Sequence, residues 1–140
     1  MIEFINPPEL GNAPRPFSRA TRAGGLIFVS GHSAPHDPAN GKPRGATPQE
    51  QVRAALETLK AILEAAGSSF DRIVWVTMLI VDPNDYDACN EEYVKHFPSG
   101  LPARQTVRFG VPTDAKVGFS CIALAGDEGQ AVEVVGAEVG

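Results

Sequence analysis

The sequence predicts an α+β domain in which one mixed β-sheet carries two helices on one face. Two continuous apolar runs of strand length, 26–30 and 73–81, are rich in β-branched and aromatic residues. Between them, 47–66 repeats its apolar residues at steps of three and four, the period of an amphipathic helix. The 140 residues suit one hydrophobic core, so we expect a single domain over 1–140.

The first part of the chain predicts an irregular arm followed by a β-hairpin. Four prolines and one glycine fall within residues 1–16, so we expect no regular element there. A strand over 17–22 and a strand over 26–30 that ends at Gly31 flank the turn Ala23-Gly24-Gly25. Residues 32–46 are rich in proline and glycine and predict a long loop.

The first helix has the clearest start signal in the sequence. Thr47 suits the N-cap, Pro48 the first helical position, and Glu50 completes a Thr-x-x-Glu capping box. Gly67 follows the last apolar residue of the periodic face and is a good residue to end the helix.

The second half of the chain predicts a strand, a helix and two more strands. A central strand covers 73–81 and is broken by Asp82-Pro83-Asn84, after which a second helix runs from about Asp85 to Phe97. Strands follow over about 104–109 and 117–125. The tail 126–140 contains three valines, so it allows a short final strand.

The resulting order is β-β-α-β-α-β-β. Because a helical connection between parallel strands is right-handed, both helices should lie on the same face of the sheet. No further element is available to cover the other face, which predicts self-association.

Composition and charge exclude several classes of function. The chain has 12 Lys and Arg against 17 Asp and Glu, a net charge of −5, and this balance is untypical of a nucleic-acid partner. We expect no membrane association and a cytoplasmic protein, since no apolar run approaches the roughly 20 residues of a membrane span and no basic stretch precedes an apolar one. Two cysteines, Cys89 and Cys121, are too few for a disulfide scaffold.

No metal or cofactor motif is present in the sequence. It contains no phosphate-binding or dinucleotide-binding glycine motif and no zinc-type Cys/His cluster, so we expect neither a metal nor a cofactor. His32 and His36 are four residues apart, but in a loop rich in proline this spacing favours two surface histidines over a metal site.

Three places carry more chemical information. Ser30 and Gly31 end a buried strand, where a glycine lets a ligand approach the backbone, although an ordinary turn glycine explains the same pattern. Arg104 begins a strand after Pro102 and either presents a planar fork to a carboxylate or is a solvated surface residue. Asn90 lies beside the apolar stripe of the second helix, so its amide needs a partner, which is either a loop backbone or a ligand.

Four segments resemble the RidA/YjgF family in order and spacing over about residues 15–125. They are Arg22-Ala23-Gly24-Gly25-Leu26-Ile27-Phe28-Val29-Ser30-Gly31, Ala65-Ala66-Gly67-Ser68-Ser69-Phe70-Asp71-Arg72-Ile73-Val74, Asn90-Glu91-x-Tyr93 and Pro102-Ala103-Arg104. The resemblance implies a chorismate-mutase-like fold, a homotrimer with a barrel-like core, and ligand clefts between subunits. It also implies hydrolysis of reactive enamine and imine carboxylates to a 2-keto acid and ammonia, as in 2-iminobutanoate/2-iminopropanoate deaminases, with no cofactor.

The same resemblance implies the residues of a site. Arg104 corresponds to the arginine that binds the substrate carboxylate, and Phe17, Ser30, Gly31 and Asn90 to positions that line the cleft. Ser120 takes the place of a glutamate proposed to activate water, so the implied catalytic pair is Arg104 and Ser120. Phe17 replaces a tyrosine and Gln105 a serine or threonine.

These departures leave two further functions open. A serine is a poor base near neutral pH, so a trimeric protein that binds small carboxylates without turnover is the alternative. Ribonuclease activity, attached to some members of the family, is disfavoured by the acidic balance and the lack of a basic patch.

Overall fold

One six-stranded mixed sheet with two α-helices on one face forms the protein, as the sequence predicts. A computed structural model describes residues 1–12 and 16–126. The strands are β1 (Glu3–Ile5), β2 (Ala20–Ala23), β3 (Leu26–Ser33), β4 (Ile73–Ile80), β5 (Ala103–Arg108) and β6 (Val117–Leu124), and the helices are α1 (Pro48–Ala65) and α2 (Tyr86–Tyr93). The strand order across the sheet is β1-β2-β3-β6-β4-β5.

Both helices connect parallel strands. β3 and β4 each pair antiparallel with β6, so they run in the same direction and α1 crosses between them. β5 pairs parallel with β4 through the α2 connection, with Val76 opposite Arg104 and Thr77 opposite Gln105. The predicted right-handed crossovers therefore account for the shared face of the two helices.

Thr47 caps the N-terminus of α1, as the sequence predicts. The backbone N–H of Glu50 donates to the Thr47 side chain at 3.2 Å, and the Thr47 hydroxyl donates to the Glu50 carboxylate at 3.1 Å. After Ala66, Gly67 has a φ of 82°, the left-handed conformation that favours glycine. The apolar stripe of α1 packs into the core that lies between helices and sheet, where Leu56, Leu59 and Leu63 are almost completely buried.

The N-terminal arm contradicts the prediction of an irregular segment. Glu3–Ile5 forms an edge strand paired antiparallel with β2, and Ile5 is buried in the core. The prolines begin only at Pro7, so they follow this strand and do not interrupt it, and the prediction extended their effect too far toward the N-terminus.

Three other boundaries differ from those predicted. β2 begins at Ala20, so Phe17 precedes the strand, and β3 continues past Gly31 to Ser33. The α-helical part of the second helix is shorter than expected, because Pro83–Asp85 and Val94–His96 are 3-10 turns on either side of it. The possible final strand lies outside the described residues, apart from its first residue.

The sheet face opposite the helices carries exposed apolar side chains and is uncovered by any element of the described part of the chain. Alternation along the strands places Phe28, Val107 and Leu124 on this face, with 40%, 39% and 40% of their surface exposed. The structure therefore presents the unpartnered face that the sequence predicted, which we call the open face.

Candidate functional site

A β-bulge in β3 shapes the centre of the open face. Val29 pairs with Cys121 and His32 with Phe119, so Ser30 and Gly31 together oppose the single residue Ser120. The extra residue keeps Val29 and His32 on the helix side, while Ser30 and Gly31 both lie on the side of Ser120. The predicted turn glycine is thus part of a bulge inside the strand.

The bulge is fixed by hydrogen bonds and by a close approach of two backbones. The Ser30 hydroxyl donates to the Ser18 carbonyl at 2.6 Å, and the Ser30 N–H donates to the Arg19 carbonyl at 2.9 Å. At Gly118 a Cβ would lie 2.8 Å from the His32 carbonyl oxygen, so only glycine allows β6 to pass this close.

A cavity of about 470 Å³ opens beside the bulge, and we call it the bulge pocket. It contains three of the predicted binding residues, Phe17, Ser30 and Gly31. Its full lining is Phe17, Ser30, Gly31, His32, Ser33, Leu79, Val81, Phe109, Thr113, Ala115, Val117 and Gly118.

His32 belongs to the wall of this pocket and is not a surface residue. Its Nδ1 lies 3.2 Å from the Ser30 carbonyl oxygen and its Nε2 lies 3.1 Å from that of Ala55 in α1. Burial lowers the pKa of His32, against the opposing effect of the two backbone carbonyls that its ring nitrogens face. His36 instead pairs with Asp114 at 3.0 Å, so the two histidines do not share a metal site.

Within residues 1–12 and 16–126, no group of three or more His, Cys, Asp or Glu side chains is arranged to hold a metal ion. In the same part of the chain, no helix is long and apolar enough to cross a membrane.

Arg104 lies on the opposite, helix-facing side of the sheet, against α2. Its guanidinium carbon is 4.7 Å from the ring centre of Tyr93, and its Nη2 donates to the Tyr86 hydroxyl at 3.4 Å. A guanidinium over an aromatic face is attracted by the ring quadrupole and held in a defined direction. Arg104 is therefore a half-buried, positioned cation and not a freely solvated arginine.

Two buried polar atoms on α2 lack a hydrogen-bond partner among the described residues. They are Asn90 Oδ1 and the Tyr93 hydroxyl. Asn90 lies one turn after Tyr86 and one turn before Tyr93, so it falls on the helix face whose tyrosines contact Arg104. Burial raises the pKa of Tyr93 to about 12, although the nearby Arg104 opposes this rise, so the hydroxyl stays protonated. Leaving a buried polar group without a partner is costly, so such atoms call for a hydrogen bond from water or from a ligand.

The structure places the predicted site residues in two groups. Phe17, Ser30 and Gly31 lie at the bulge pocket, and Ser120 opposes the bulge on the open face. Arg104 and Asn90 lie on the helix side. Arg104 is also three strands away from Ser30 in the sheet order, roughly 14 Å at the usual strand spacing. The predicted catalytic pair, Arg104 and Ser120, lies on opposite faces of the sheet, so a single chain does not bring the two side chains together.

Sequence reasoning missed a polar row on the open face. Ser120 pairs with Thr77, which pairs with Gln105, and the Gln105 side-chain amide donates to the Thr77 hydroxyl at 3.3 Å. Only the strand register reveals this row, since its three residues come from three different strands.

The two cysteines are buried and free. Burial raises the pKa of Cys89 to about 11 and that of Cys121 to about 12. Neither thiol is therefore a nucleophile at neutral pH.

Comparison with known proteins identifies the family. The sequence model of the family described as Endoribonuclease L-PSP matches residues 10–125. Reactive Intermediate Deaminase A, chloroplastic, of Arabidopsis thaliana is 32% identical over 122 residues, which are 86% of this chain and 65% of the relative.

Solved structures agree with this match. The YjgF gene product of E. coli is 32% identical and superposes with a TM-score of 0.73 over 87% of this chain and 98% of that one. E. coli TdcF with bound serine, also 32% identical, has a TM-score of 0.75 over the same shares of the two chains. The sequence match covers most of the chain, and the same sheet and helices recur in the solved relatives, so the chain belongs to the RidA/YjgF family.

Proposed function

We propose that the protein is a hydrolytic deaminase of reactive enamine and imine carboxylates. The observation that carries the proposal is Arg104, held against two tyrosines beside buried polar atoms that have no partner. A guanidinium binds a carboxylate through two parallel N–H···O bonds, which fixes its orientation. A relative named as a reactive intermediate deaminase and a solved relative with bound serine support a small amino-acid-like ligand.

The reaction needs little from the protein beyond positioning. Water adds to the carbon of the C=N bond, giving a carbinolamine. The C–N bond then breaks, the nitrogen leaves as ammonia, and the carbon keeps the water oxygen as a ketone. The imine is already electrophilic, so holding it against a bound water in a near-attack geometry supplies much of the acceleration. Ser120 is proposed to hold that water by hydrogen bonding, since a serine hydroxyl both donates and accepts.

The site is proposed to form between subunits of a homotrimer. Arg104 and Asn90 face the helix side while Ser30, Gly31 and Ser120 face the open side, so two copies have to supply the two groups. The exposed apolar residues of the open face favour the same association. Light scattering should give three times the chain mass of 14.8 kDa, and a monomer would contradict the shared cleft. We place this assembly in the cytoplasm, which cell fractionation tests.

The experiment that tests the activity follows imine decay with and without the protein. An amino-acid oxidase generates the imine in place, catalase removes the peroxide, and semicarbazide traps the imine that remains. We expect Arg104→Ala to lose about tenfold to 150-fold in ligand affinity, the range for a charge-assisted bond of about 1.5–3 kcal/mol. Arg104→Lys should recover little, because an ammonium offers no planar fork.

Arg108→Ala is the matched control. Arg108 lies on the same strand as Arg104 and is exposed, so its replacement by alanine removes the same charge away from the proposed clamp. Decay no faster than in buffer for every imine would refute the deaminase. Wild-type behaviour of Arg104→Ala would refute the assigned clamp.

One observation favours a carboxylate-binding protein without turnover as the second candidate. The described residues that line the bulge pocket include no acidic or lysine side chain, and both His32 nitrogens face carbonyl oxygens. Ser120→Glu separates the two candidates. A gain in turnover indicates that only the acid–base group limits the deaminase, whereas unchanged ligand binding with no turnover in either protein favours the binding function.

A further inference from the structure

The bulge pocket is larger and more apolar than a two-carbon or three-carbon substrate requires. Its volume of about 470 Å³ falls in the range of whole ligand sites, roughly 300–1,000 Å³. Phe17, Leu79, Val81, Phe109 and Val117 form most of the wall. Burying hydrocarbon against such a wall is favourable in proportion to the apolar area removed from water.

The polar side chains of the wall are largely occupied by the protein itself. The Ser30 hydroxyl donates to the Ser18 carbonyl, and the Thr113 hydroxyl oxygen accepts the Ala115 N–H at 3.1 Å. The His32 nitrogens lie against two backbone carbonyls. No ionisable side chain other than this histidine appears in the lining, so a charged substituent would find no partner there.

We propose that the bulge pocket receives the substrate side chain and selects 2-imino acids with uncharged apolar side chains of three or more carbons. This inference rests on the proposed deaminase, whose carboxylate is bound at Arg104. The small side chain of 2-iminopropanoate leaves most of the pocket to water, while a propyl or isobutyl group contacts Leu79 and Phe109. The wall thus sets which imine is cleared fastest.

The test compares the imines of alanine, 2-aminobutyrate, norvaline and leucine, with those of glutamate and lysine as charged members. We expect kcat/KM to rise about fourfold per added methylene from methyl to propyl, the gain from burying one CH₂ group, and the charged imines to be poor substrates. A flat or falling series would overturn the inference. If every imine is cleared but without this order, the deaminase stands and the substrate class fails.

Calorimetric binding of the matching 2-keto acids tests whether the bulge pocket accepts apolar side chains, even if the protein shows no turnover. If no imine is cleared faster than in buffer, the proposed function fails. A rise in 2-keto acid affinity with chain length would then still support an apolar side-chain pocket, and equal affinities would overturn it.

Two variants test whether the preference for longer side chains arises in the bulge pocket. A Cβ at Gly31 would meet Leu79 Cδ1 at 3.6 Å, an ordinary contact, so Gly31→Ala folds and narrows the pocket. Phe17→Ala removes an exposed wall residue. Both should lower the propyl-to-methyl ratio at least fourfold. Val94→Ala, an exposed valine outside the lining, is the control and should leave the ratio unchanged, and an equal effect of all three would overturn the inference.

Discussion

Replacing Glu92 by glutamine tests whether one buried carboxylate joins the two helices. The Glu92 side chain is 5% exposed and receives Arg53 of α1 at 3.0 Å and His96 Nε2 at 2.8 Å. Hydrogen bonds from Arg53, more than those from His96, lower the pKa of Glu92 from 4.5 to about 2, against the opposing effect of burial. Glu92→Gln keeps the shape and removes the charge.

The contribution of the Glu92 carboxylate to the free energy of unfolding follows from the shift in its pKa. A fall from 4.5 to about 2 corresponds to about 3 kcal/mol, at roughly 1.4 kcal/mol per pH unit. The Arg53 side chain is 52% exposed, so solvent screening reduces this to about 2 kcal/mol. Because the folded pKa lies below the unfolded one, the stabilisation is complete above about pH 4.5 and is lost as the pH falls toward about 2.

Urea unfolding followed by circular dichroism, at a fixed chain concentration and several pH values from 3 to 7, measures the effect. We expect the difference in free energy of unfolding between wild type and Glu92→Gln to be about 2 kcal/mol at pH 7 and to shrink as the pH falls below about 4.5. Glu91→Gln, at the exposed neighbouring residue, should show no such difference. A difference that stays constant from pH 3 to 7, or is absent at pH 7, refutes the reasoning.

Three further predictions concern stability and reactivity. Gly118→Ala should destabilise the fold by about 1–3 kcal/mol in the same unfolding assay, because its Cβ would meet the His32 carbonyl at 2.8 Å; unchanged stability would show that β6 can move away. Cys89 and Cys121 should resist a thiol reagent at pH 7 until the protein unfolds, and rapid labelling of native protein would contradict their burial. Thr47→Ala should cost about 1 kcal/mol through loss of the α1 cap, and a Thr47→Ser protein that keeps wild-type stability is the control.

The parts of the fold that the sequence predicted well are those governed by local signals. The N-cap at Thr47 and the helical period of α1 depend on residues within a few positions of one another, and both are confirmed. The short strand Glu3–Ile5 has too few residues for an alternating pattern, and it exists because β2 offers a partner. Pairing of that kind depends on residues distant in sequence.

In the candidate site too, local signals in the sequence predict a residue, whereas a feature that depends on a distant strand is missed. Asn90 was singled out because an amide on an apolar stripe needs a partner, and in the structure its Oδ1 is buried without one. The bulge at Ser30 and Gly31 was not foreseen, because a bulge is defined by the strand opposite, and that strand lies about ninety residues later in the chain. Composition marked the right glycine but assigned it to the end of the strand.

The bulge also lets β3 carry one residue more than β6 over this stretch without exchanging the sides of its flanking residues. Every residue before it keeps its side of the sheet only because one surplus residue is absorbed between Val29 and His32. A regular pairing of the full-length strand would exchange the sides of all residues on one flank, turning His32 toward the open face or Val29 out of the core. Deleting Gly31, in contrast, would give a regular strand in which Val29 and His32 keep their sides. The surplus residue therefore serves the open face alone, since a strand without it would present one residue there in place of Ser30 and Gly31.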